Sequence, residues 1–110
     1  MKQENLFASG ETILLNKYKI EYTSKAQSNY YNMLEHSFNI HFNYYQKIYE
    51  EFHSKIQNIL ENPYIYPVIK TKKEFRKTNI SNYIIFYKIC NNTVIVYRVF
   101  LSKIQYMNYI

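Results

Sequence analysis

Between Phe42 and Leu60 the residues Phe42, Tyr45, Ile48, Tyr49, Phe52, Ile56, Ile59 and Leu60 recur at three- and four-residue steps, while Lys47, Glu50, Glu51, Lys55 and Glu61 lie largely off that face. A stripe of this length predicts an amphipathic helix, and such a helix needs another surface to cover. Asn62-Pro63 ends it, because proline cannot continue the hydrogen-bond ladder and drives its predecessor out of the helical region. Upstream, Ser24 offers an N-cap, and Ala26, Tyr30, Met33, Leu34 and Phe38 repeat the same spacing. They predict a helix ending near His36 to Asn39, so the two helices form a hairpin with one shared apolar seam.

The flanking segments change period. From Lys17 to Thr23, Tyr18, Ile20 and Tyr22 alternate with Lys19 and Glu21, as in a half-buried strand. Beyond the breaker, a strand is expected through Phe75 to Ile80, Ser81-Asn82 forms a turn, and Tyr83 to Cys90 pairs with Thr93 to Leu101 around Asn91-Asn92. In that register Ile85 faces Arg98, and Tyr83, Ile85, Tyr87, Ile89, Val94, Val96 and Phe100 share the side given to the helices. Ile84, Phe86, Lys88, Ile95, Tyr97 and Val99 fall on the other side, which is too apolar to lie bare.

The order predicts an α+β fold: an N-terminal strand, a two-helix hairpin, then a three-stranded antiparallel meander, with the helices on one sheet face. Residues 1–16 have no clear period and stand as an extension; residues 17–110 form a single domain. The single glycine, Gly10, excludes the glycine-rich loops that cradle nucleotide phosphates. One cysteine, Cys90, allows no internal disulfide and no cysteine-based zinc site, which fits a reducing cytoplasm. No apolar run is long enough to span a membrane. A soluble, cytoplasmic protein is the expectation.

Few residues suggest chemistry. His36, His41 and His53 have no metal-ligand spacing, so they are expected to be solvated helix residues, with no metal and no cofactor. Glu50 and Glu51 are adjacent on a helix and point apart. The informative stretch is cationic: Lys70, Lys72, Lys73, Arg76 and Lys77, with Lys103 after the last strand, in a chain of net charge +6. Side chains on a loop and strand can converge on phosphates, and Tyr106 or Tyr109 could stack on a base.

The run Tyr18-Lys19-Ile20-Glu21-Tyr22-Thr23-Ser24-Lys25-Ala26, the helix ending Ile59-Leu60-Glu61-Asn62-Pro63, then Phe75-Arg76, Asn82 to Tyr87, and Val94 to Phe100 together resemble the RelE/ParE toxins of bacterial type II toxin-antitoxin modules. The resemblance covers roughly Lys17 to Tyr109. It implies a growth-arresting toxin held inactive by a cognate antitoxin, whose apolar and acidic segment would cover the outer sheet face and meet the positive charge. RelE-like members cleave mRNA in the ribosome without metal; ParE-like members poison DNA gyrase.

For an mRNA-cleaving toxin the resemblance implies Arg76, Lys103 and Tyr106 as catalytic residues, and Lys70, Lys72, Lys73, Lys77, Arg98 and Tyr109 as nucleic-acid contacts. Three features depart from that branch. Ile84 stands where both branches often carry arginine, Ile104 where the nucleases tend to carry arginine, and no histidine lies near the C-terminus. These departures keep open a gyrase-directed toxin, or an inactive member that only binds its antitoxin.

Overall fold

The computed structural model describes residues 17–103. The extension expected over residues 1–16, and the candidate residues Tyr106 and Tyr109, lie outside them. The chain runs β1 (Lys19–Tyr22), α1 (Ser24–Ile40), α2 (Phe42–Glu61), β2 (Val68–Ile69), β3 (Lys72–Ile80), β4 (Tyr83–Cys90) and β5 (Thr93–Leu101). One sheet takes the order β1-β5-β4-β3-β2. The predicted meander is β3-β4-β5. Two features go beyond the periodicity of the chain: the two-residue β2, and the parallel pairing of β1 with β5, which makes the sheet mixed.

The first helix is capped one residue earlier than expected. Thr23, in extended conformation, accepts a hydrogen bond from the Ala26 amide through Oγ1 at 3.0 Å, so Ser24 is already helical. The same hydroxyl donates to the Tyr97 carbonyl at 2.8 Å, tying the start of α1 to β5. His41 separates the helices with φ −169° and ψ 142°, and its Nδ1 accepts from the Asn43 amide at 3.0 Å, capping α2.

Both helices cover one sheet face. Ala26, Tyr30 and Met33 of α1 and Ile48, Phe52, Ile56, Ile59 and Leu60 of α2 are buried with Ile20, Ile80, Tyr83, Ile85, Tyr87, Val94, Val96 and Val99. Ser37 is also fully buried, and its hydroxyl is satisfied by donating to the Met33 carbonyl at 2.8 Å. Two ends of the predicted stripes point elsewhere: Phe38 and Phe42 are more than half exposed, at 55% and 53%.

The β4–β5 register holds from the Asn91 turn, where φ is 57°, up to the Tyr87–Val96 pair, and then shifts by one residue. Tyr97 is the extra residue of a β-bulge, because Phe86 pairs with Arg98. Ile85 therefore faces Val99, not Arg98. A one-residue slip exchanges faces. Val99 accordingly joins the helix-side core, and Phe100 moves to the far side, the reverse of the expected placement. The far side is not bare: Ile69, Phe75, Ile84 and Phe86 form a second buried cluster, with Tyr97 and Phe100 packed on it.

Candidate nucleic-acid interface

Strand alternation decides which cations share a surface. Phe86 on β4 lies between Lys77 on β3 and Arg98 on β5, so the three form one row across the far face. The next row holds Lys88 and Ile95, with the Lys88 ammonium 5.7 Å from the Phe75 ring centre. On the other side of the Lys77–Phe86–Arg98 row lie Asn79, Ile84 and Phe100. Lys77, Lys88 and Arg98 are half-buried.

Aromatic rings lie between these charges. The Arg98 guanidinium stands 5.1 Å from the Tyr97 ring centre and 5.9 Å from that of Phe100, and Tyr97 packs on Phe75 at 4.8 Å. Guanidinium over a ring is a favourable cation–π geometry, and the half-exposed rings offer flat surfaces to a base. The bulge makes this possible, since it brings an aromatic and a cationic residue, adjacent in sequence, onto one face. At the rim, Lys72, Lys73 and Lys88 line a cleft of about 390 Å³ floored by Phe75 and Tyr97, with Glu74 the one acidic residue in its lining. Lys70 is exposed in the turn between β2 and β3.

Among the expected contacts, the structure therefore brings Lys72, Lys73, Lys77 and Arg98 to one side of the sheet. Sequence reasoning missed Lys88, Phe75, Tyr97 and Phe100 as partners of these cations. For Lys88 the alternation with Phe86 was a usable signal, whereas Phe100 was hidden by the bulge.

Arg76 and Lys103 are not brought together. Arg76 pairs with Tyr87 and so points to the helix side. Its Nη1 donates to the Tyr66 carbonyl at 2.7 Å and to the Tyr64 carbonyl at 3.4 Å, with the guanidinium 5.1 Å from the Tyr64 ring. Tyr87 holds the same segment, donating its hydroxyl to the Pro63 carbonyl at 2.7 Å. Burial pushes that hydroxyl up to about 12, and the Arg76 charge opposes the shift. Lys103 is exposed beyond β5, beside the turn where the Ser102 amide donates to the Asn82 carbonyl at 2.7 Å. Strand rise and spacing separate it from Arg76 by roughly 20 Å.

The histidines divide. His36 and His41 are exposed as expected, whereas His53 is half-buried and hydrogen-bonded instead of fully solvated. Its Nε2 shares a 2.9 Å hydrogen bond with the Tyr30 hydroxyl, and the Tyr49 ring lies 4.4 Å away. Burial lowers its pKa from 6.5 to about 4. Among the described residues no three His, Cys, Asp or Glu side chains gather as a metal site, and no helix is long and apolar enough to cross a membrane.

The fold has known counterparts. The crystal structure of YafQ from E. coli strain BL21(DE3) aligns with a TM-score of 0.52 at 18% identity, covering 84% of this chain and 98% of YafQ, which shows a shared fold. No curated protein matches by sequence. A family model described as the ParE toxin of the type II toxin-antitoxin system parDE matches residues 20–106. That span runs from β1 through both helices and the whole meander, and by it the chain belongs to the ParE toxin family of type II toxin-antitoxin systems.

Proposed function

We propose that this toxin arrests growth by binding mRNA at the ribosome along the far sheet face and cleaving it. The observation that carries this reading is the Lys77–Phe86–Arg98 row, flanked by Lys88 and by the Tyr97 and Phe100 rings. Cations spaced along strands suit a phosphate backbone, and rings between them suit unstacked bases. Bases become available to such rings only in single strands, which favours mRNA over duplex DNA.

In this reading the ribose 2′-oxygen bonds to the adjacent phosphorus as the P–O5′ bond breaks, giving a 2′,3′-cyclic phosphate and a 5′-hydroxyl. The 2′-hydroxyl proton is lost to water and the leaving 5′-oxygen takes a proton from water, while Arg98, Lys77 and Lys88 stabilise the charge developing on the phosphate. Lys72 and Lys73 extend the track at one end, with Lys70 beyond them in the turn, and Lys103 extends it at the other, with Tyr106 and Tyr109 following Lys103 in sequence. Arg76 acts as a positioning residue through the 62–67 segment. The toxin works in the cytoplasm, without metal or cofactor, and its cognate antitoxin covers the same basic, aromatic face.

A second reading has its own support, because the matching family model is that of ParE. A gyrase-directed toxin would use this face to contact protein and would cut no RNA. Inducing the chain with and without its antitoxin, then mapping mRNA ends and plasmid supercoiling, separates the two. Codon-positioned cuts with unchanged supercoiling support the first reading. Altered supercoiling with intact mRNA overturns it.

A further inference from the structure

A groove lies on the outer side of the helical hairpin, away from the basic sheet face. It encloses about 560 Å³ between Tyr31, Glu35 and Phe38 of α1 and Phe42, Tyr45 and Tyr49 of α2. Phe38 stands at 88° to both Phe42 and Tyr45, with ring centres 6.3 Å and 5.6 Å away. Tyr49 continues the wall 6.3 Å beyond Tyr45. Perpendicular rings form a corner in which one group can meet the faces of two rings at once. The electron-rich faces of such rings attract cations.

The charge at this groove reverses that of the molecule. The chain carries +6, yet among the described residues lining the groove Glu35 is the one charged side chain. It precedes Phe38 by three positions on α1, which places its carboxylate on the same helix face as the corner. Rings at right angles beside a single carboxylate recognise a cation with an apolar surface, since a small hydrated ion would lose its water without gaining apolar contact.

We propose that this groove is a binding site for organic cations of the quaternary or alkylated ammonium type. The apolar groups contact Phe38, Phe42 and Tyr45, and the charge lies toward Glu35. The site is independent of the nucleic-acid reading, which concerns the opposite layer of the fold.

The test compares choline with 3,3-dimethylbutan-1-ol, its neutral counterpart of the same shape, by NMR titration of the full chain against a sodium chloride control. Choline is expected to bind about tenfold tighter than the alcohol, equivalent to roughly 1.4 kcal/mol. The preference should shrink severalfold in Glu35→Gln, an exposed position where folding is unaffected, and in Phe38→Leu, which keeps the apolar surface but removes the ring. Equal binding of choline and the alcohol would mean a merely apolar groove and overturn the proposal. So would failure of both to bind, or a choline preference unchanged in both variants.

Discussion

Arg76 and Tyr87 hold the same stretch of chain from the same strand pair, so their substitutions should behave as one lesion. Tyr87 is fully buried, and Tyr87→Phe leaves the Pro63 carbonyl without its 2.7 Å donor. An acceptor stranded in this way costs about 1–3 kcal/mol. Arg76→Met removes one short and one long bond to the Tyr66 and Tyr64 carbonyls. Because that guanidinium is partly solvated, its loss should cost only about 1 kcal/mol. Urea unfolding of the parent, both single variants and the double variant measures these values, and the coupling between the two sites should exceed about 0.5 kcal/mol, since either loss frees the segment the other holds. RNA binding supplies the decisive comparison. A buried tyrosine cannot touch a nucleic acid, so if Arg76 acts by holding the 62–67 segment, the two variants should weaken binding to similar extents. The reasoning is refuted if Arg76→Met abolishes RNA binding at unchanged stability while Tyr87→Phe retains it.

Arg98→Met or Lys88→Met should each weaken binding of a short single-stranded RNA by about tenfold. Each should also make the dependence of log affinity on log salt shallower by roughly 0.7 for every phosphate that is no longer neutralised, as read by fluorescence anisotropy. Thr23→Ala loses both the α1 cap and the bond to the Tyr97 carbonyl, and should lower stability by about 1–2 kcal/mol in urea titration. His53 is held neutral in the folded chain with its pKa lowered from 6.5 to about 4, whereas the unfolded chain takes up the proton more readily. Its contribution is therefore complete above pH 6.5 and is lost as the pH falls toward 4, by at most about 3 kcal/mol and less where water reaches the ring. His53→Gln should flatten the stability profile across that window.

Much of the architecture was legible because helical and strand periods are local signals. The stripe from Ile48 to Leu60, the Pro63 stop and the alternation in β4 are each visible within a short local window of sequence. What escaped was set at long range. Nothing in Lys19–Tyr22 announces a parallel partner more than seventy residues later, and a two-residue strand such as Val68–Ile69 is too short to carry a period. Periodicity also cannot tell how wide a stripe is buried, which is why Phe38 and Phe42 fit the seam by spacing although they line an outer groove. The site suffered most from the Tyr97 bulge. Neither Tyr97 nor Arg98 is a glycine that would mark a kink, so one unpaired residue moved Phe100 onto the cationic face without warning. Arg76 stood out on charge alone, and charge is silent about carbonyls that fold back onto it.

The extra residue in β5 also bears on how such a surface can arise or vanish. Three bases of coding sequence separate a strand with alternating sides from one that sets a phenol beside a guanidinium, without any substitution elsewhere. Loss of that triplet would take away the Tyr97 ring in a single genetic event while leaving Arg98 opposite Phe86 and Phe100 on the same face.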